Sequence, residues 1–223
     1  MESTTVSDLL PPEPTAEEAG GEETLIYISQ ARDRFTEAVG YLAEEDWNLY
    51  KDKNDVKLLT KKSVDGGVDL VLREAIIEKP QEVVYEWFCN QSNLVDNSER
   101  LIVSEVVDEL GPESFLLKRE VKGNFLVSNR DMCIFWHKLN LTDGSVANIQ
   151  FSIMHSKIPE TKCVRGELNI SLLMVTKIDD NKCKLISLGK IDPKGSIPTS
   201  FVNKMTWTQF DELVKMKKVI EAL

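Results

Sequence analysis

The chain has 223 residues, 42% hydrophobic and 29% charged, the balance of an ordinary globular protein long enough to bury a sizeable core. Its net charge of −10 argues against a nucleic-acid binder. Seven acidic residues and no Lys or Arg fall within residues 1–24, so the rest of the chain is close to neutral and is not strongly repelled by anionic membranes.

Residues 1–23 combine Pro, Gly, Thr and Glu and read as a disordered acidic tail, with Leu9 and Leu10 as its one candidate docking motif. From Thr24 the pattern is helical: Ile28, Ala31, Phe35, Ala38, Val39 and Leu42 share a face, with Thr24 as a candidate cap. Strands are expected at 56–62 and 68–77, joined by the hairpin signal Asp65-Gly66-Gly67. Pro80 opens a short helix with Val83, Val84, Trp87 and Phe88 on one side. A loop rich in Asn and Ser is expected at 90–98. Period-two alternation then predicts strands at 101–107, 114–121, around Met132–Trp136, around Ala147–Ile153, at 164–172 and at 183–191. In the fifth of these Val164, Gly166, Leu168, Ile170 and Leu172 are expected on one face. Pro198 opens a last helix, roughly 35 Å long, with Phe201, Val202, Met205, Phe210, Leu213 and Val214 on its apolar side. Runs of antiparallel strands between helices predict an α+β fold with one domain over 24–223.

Chemistry-bearing motifs are sparse. No GxSxG, HExxH, Walker or GxGxxG pattern occurs, and Cys89, Cys133, Cys163 and Cys183 form no CxxC pair. No metal or cofactor is therefore expected. Neither a secretory leader nor a stretch of ~18 apolar residues occurs, so the chain reads as cytoplasmic.

Three segments in order resemble the START family of lipid-transfer domains: EVKGNFLVSNRD at 120–131, VRGE at 164–167 and DPKGSIPTSFVN at 192–203. The resemblance spans about 24–223. It implies a helix-grip fold, in which a curved antiparallel sheet wraps a long C-terminal helix around a lipid-sized tunnel. It also implies a non-catalytic role: binding one lipid, phospholipid, sterol or ceramide-like, as a monomer that touches membranes transiently. Where the choline-phospholipid type carries an arginine this chain has Leu94. Where the sterol type pairs an acid with an arginine it has Leu117 and Trp136. The resemblance thus leaves the lipid class open.

A lipid tunnel needs an apolar wall and a few polar groups to orient the head. Expected wall residues are Ile134, Trp136, Leu168, Ile170, Leu172, Phe201, Val202 and Met205, each of which also fits plain core packing. Candidate anchors are Arg119, Arg130, His155 and Arg165. Arg130 with Asp131 fits a structural pair equally well, and Arg165 with Glu167 fits a solvated face. Phe125, Leu126 and Val127, beside Lys122, form an apolar loop tip suited to dipping into a membrane or to tucking onto the last helix. Two other readings stay open: a helix-grip cyclase or dehydratase using His137 or His155, and a module whose lipid occupancy gates a protein partner.

Overall fold

The computed structural model describes residues 6–64, 66–123, 127–198, 202–203 and 208–223. Three helices come first: α1 (Val6–Leu9), α2 (Ala16–Ala19) and α3 (Glu22–Leu42). Strands β1 (Asn48–Lys53), β2 (Val56–Lys61) and β3 (Leu70–Ile77) lead to α4 (Gln81–Cys89) and α5 (Gln91–Asn97). Seven strands follow: β4 (Leu101–Gly111), β5 (Ser114–Val121), β6 (Arg130–Asn140), β7 (Val146–Ser152), β8 (Val164–Arg165), β9 (Glu167–Asp179) and β10 (Lys182–Asp192). Helix α6 (Thr208–Glu221) closes the chain.

The strands make one curved, open sheet in the order β1-β2-β3-β10-β9-β7-β6-β5-β4. Neighbours are antiparallel, except that the two residues of β8 pair with β6 in parallel. This is the expected α+β helix-grip arrangement. On the convex side α3 lays Ile28, Ala31, Phe35 and Ala38 on Phe135, Leu139, Ile149 and Phe151. The i, i+3, i+7, i+10 spacing of these four residues aligns them on one side of the helix, which is why they can share that surface. On the concave side α6 lays Phe210, Leu213, Met216 and Ile220 on β2 and β3.

Four local features differ from the sequence reading. Residues 6–23 carry two docked helices where composition suggests a disordered tail. Thr15 and Glu18 form a reciprocal capping box that satisfies the first turn of α2. Val6, Leu9 and Leu10 pack on the α3 core, and Leu9 O accepts from Thr142 N at 3.0 Å. Gly20 and Gly111 let α2 and the end of β4 touch backbone to backbone: a Cβ at Gly111 would stand 2.2 Å from Ala19 O, and one at Gly20 2.5 Å from Leu110 O. Thr24 is no cap. It lies inside α3, and its hydroxyl donates to Leu110 O at 3.0 Å.

The expected loop at 90–98 is α5. Asn90 accepts from Ser92 N and Asn93 N and so starts a new helix where α4 ends. Finally, the strand expected at 164–172 is broken. Val164 and Arg165 pair with β6, and β9 carries a bulge: Lys190 opposes Ile170 while Ile191 opposes Leu168, which leaves Asn169 extra. A one-residue slip exchanges the faces. Leu168 therefore packs on the concave side with Met132 and Ile134, whereas Ile170 and Leu172 lie on the convex side under α3.

Candidate functional site

The concave side is not filled. A cavity of about 370 Å³ lies between the sheet and the structure that crosses it, bounded by β3, β5, β6, β9, β10, α5 and α6. Its floor comes from the middle of the sheet, where side chains are small. Gly189 pairs with both Ser171 and Val71, and Ser187 pairs with Arg73. All five of these residues line the cavity. Among the described residues a Cβ on Gly189 would have one neighbour within 4 Å, Ile170 O at 3.7 Å, which leaves the space above it open to them. Met132, Leu168, Val121 and Leu101 supply apolar wall on one side, and Leu94 and Met216 on the other.

Of the residues expected to form the wall, Leu168 and Val202 line the cavity. Ile134 and Trp136 share its face of β6 but are packed against Leu117 and Phe115 in a solid cluster beyond its edge. Ile170 and Leu172 are on the opposite face, a consequence of the bulge. Phe201 and Met205 lie outside the described residues, as do Phe125 and Leu126 of the loop tip. Val127, the third loop residue, lines the cavity.

The polar groups are more telling. Arg119 donates from Nε to Ser104 Oγ at 3.0 Å and from Nη2 to Gln91 Oε1 at 3.2 Å. Arg73 donates from Nη2 to Ser187 Oγ at 2.8 Å. Among the described residues neither guanidinium has a carboxylate within 4.0 Å, although Glu212 acts on Arg73 from farther away. Burial alone pushes Arg119 down to about 10. Both arginines keep some accessible surface although the protein encloses them, because that surface opens into the cavity. Arg119 was legible as a candidate anchor. Arg73 was not, because a charged residue in an alternating strand reads as a solvent face.

Arg130 lines the cavity but spends its donors on backbone. It reaches Pro193 O at 3.0 Å, Lys194 O at 3.2 Å and Ser128 O, which ties the loop before β6 to the loop after β10. Its neighbour Asp131, 1% exposed, pairs instead with Arg165 through two bonds of 3.0 and 3.2 Å and accepts from Thr161 at 2.8 Å. Arg165 thus anchors β8 rather than a ligand. His155 is half-buried, with Nδ1 accepting from Lys157 N, and His137 is buried beside Phe135; neither lines the cavity. Burial raises Cys89 to about 11 and Cys183 to about 12, so both remain protonated thiols. Gln150, which pairs with Ser171 across β7 and β9, has its Oε1 buried without a hydrogen-bond partner among the described residues.

A curved open sheet with a half-open cavity under its C-terminal helix defines a helix-grip domain. A family profile described as START domain matches residues 30–218, and the chain belongs to that family. It is 30% identical over 202 residues to the steroidogenic acute regulatory protein of Xenopus laevis, covering 83% of this chain and 67% of that one. It is 20% identical over 193 residues to the ceramide transfer protein of Xenopus laevis, covering 77% of this chain but only 31% of the relative's length. Human StAR-related lipid transfer protein 5 superposes with a TM-score of 0.76 at 17% identity, over 88% of this chain and 97% of that structure, and so shares the fold. Among the described residues no helix is long and apolar enough to cross a membrane.

Proposed function

We propose that this chain is a monomeric, cytoplasmic, non-catalytic carrier that encloses one lipid in the cavity and moves it between membranes. The observation that carries the reading is the floor of the cavity. Ser171, Ser187 and Gly189 stand at the centre of the sheet, where a solid core would hold Leu, Ile or Val. A void that merely resulted from loose packing would cost stability with no return. A space occupied by an alkyl chain does not carry that cost. Burial contributes ~0.8 kcal/mol per CH₂, so a chain of about 16 carbons gains on the order of 10 kcal/mol before ordering costs.

Access fits the same reading. Val127, which follows Phe125 and Leu126 in sequence, lines the cavity, and Arg130 ties Ser128 to the residues after β10. A loop tip resting on a membrane would release the lipid without exposing it to water. The names of the relatives, a ceramide transfer protein among them, agree with transport rather than with turnover.

Native mass spectrometry of the protein mixed with vesicles, followed by lipid extraction, tests the proposal. One lipid per chain is expected. Gly189→Leu combined with Ser171→Leu should leave the protein folded and remove the bound lipid. A wild-type protein that retains no lipid from any vesicle tested would end the carrier reading. Phe125→Asp with Leu126→Asp should slow vesicle-to-vesicle transfer at least tenfold, and unchanged transfer would count against the role of the loop.

A further inference from the structure

We propose that the carried lipid is anionic, its phosphate or carboxylate oxygens held by Arg73 and Arg119. This rests on the carrier reading and adds the class of cargo. The first support is the distribution of arginine. The chain has 27 cationic side chains, and seven of them are arginines: Arg32, Arg34, Arg73, Arg100, Arg119, Arg130 and Arg165. Four of the seven line this one cavity, with no lysine beside them among the described residues. Among the described residues Asp69 and Glu212 are the acids that line it. In a chain of net charge −10 the described lining of the cavity therefore carries positive charge in excess.

The kind of cation matters as well. A guanidinium presents five donors in a flat fork that matches an oxyanion with two bonds at once, whereas an ammonium is a point charge. Arg130 uses its fork on loop carbonyls, and Arg100 donates to Lys122 O, so these two build the mouth. Deeper in, Arg119 meets a serine hydroxyl and an amide oxygen, and Arg73 meets one serine hydroxyl. Those partners are neutral, and among the described residues they leave further N–H groups of both forks for something else. A charge enclosed with neutral partners costs free energy unless a counter-charge completes it. The depressed pKa of both groups has that same cause, burial. An anionic headgroup, with its chain along Leu168 and Met132, would supply the missing charge. A zwitterionic or uncharged lipid would leave the excess standing.

The test offers the protein vesicles holding equal amounts of phosphatidic acid, oleic acid, phosphatidylcholine and cholesterol, and reads the bound lipid by native mass spectrometry. Phosphatidic acid or oleate is expected at least tenfold over the other two, and the ratio between them tells phosphate from carboxylate. Arg73→Gln and Arg119→Gln should each lower the ratio of anionic lipid to phosphatidylcholine loaded about tenfold, in proteins shown to be folded by circular dichroism. The wild-type preference needs no variant, so a misfolded substitution does not shield the idea. Preferential loading of phosphatidylcholine or cholesterol would overturn the anionic assignment and leave the carrier intact. So would displacement of bound lipid by inorganic phosphate at millimolar concentration, which would mark an ion site in place of a lipid site. No loading of any lipid would remove the carrier reading and this inference with it.

Discussion

The two faces of this sheet are made by the same strands and end in opposite conditions. On the convex face Phe135, Phe151, Leu139, Ile149 and Leu172 are fully buried and packed with Phe35 of α3. On the concave face Arg73, Ser171, Ser187 and Gly189, next in sequence to Leu72, Leu172 and Leu188 of the packed face, look into space. Alternation along a strand gives both faces the same number of positions, so the difference lies in what fills them. The convex side is chosen for volume, whereas the concave side is packed where α6 covers it and keeps room only over Ser171, Ser187 and Gly189. Stability should therefore reside in the first face and cargo in the second, and substitutions can test that division.

The largest effect should come from emptying the packed side. Phe135→Ala removes a fully buried ring that contacts Tyr27 and Phe151 at centroid distances of 5.3 and 5.4 Å. It should cost about 3–5 kcal/mol in urea unfolding. A cost under 1 kcal/mol would mean that the convex core does not hold the fold.

The next effect is a pH dependence confined to the same side. His137 is buried, hydrogen-bonded to Ser114 Oγ at 2.8 Å, and pushed down to about 4, first of all by desolvation. An unfolded histidine titrates near 6.5, so between pH 6.5 and 4 the unfolded chain binds the extra proton. Stability should be full above pH 6.5, fall as the pH drops, and have lost about 3 kcal/mol from this group near pH 4. His137→Gln should remove that part of the slope in urea midpoints measured at pH 4.5 and 7. An unchanged slope would assign the acid sensitivity to carboxylates instead.

How much of this was legible follows from what alternation can encode. The bounds of β5 were read correctly because Ser114–Val121 lies between clear turn signals. The face of Ile170 and Leu172 was not, because a bulge at Asn169 is set by pairing with β10 and leaves no mark in the local pattern. Helix α5 was missed since Asn90 looks like a loop residue until its side chain is seen to cap. Arg73 was missed for a more general reason. Period two separates polar from apolar faces, but it cannot separate a face turned to water from one turned to a hollow interior. Leu168 was found by the same rule that misplaced its neighbours, and Arg119 because it sits beside the segment 120–131 that carries the family resemblance.

The smallest effect sharpens the comparison most, since it asks each face to accept the same added atoms. Ala147 is fully buried on β7 and packs in the cluster that includes Ile149 and Phe151. Ala147→Leu should cost about 1–3 kcal/mol, because a close-packed region can admit new methylenes only by shifting what surrounds them. Gly189→Leu adds a still larger group, at a position where, among the described residues, the first carbon finds ordinary contact with Ile170 O and little else. It also removes a glycine from a strand interior, which by itself favours the folded state. Its effect on the urea midpoint should lie within about 1 kcal/mol of zero, of either sign. Equal destabilisation by the two substitutions would show that the concave face is as full as the convex one. A tolerated leucine at Gly189 beside a costly one at Ala147 would show that the room is real, and its position over Ser171 and between the two arginine-bearing strands would then make it the part of the molecule that the cargo occupies.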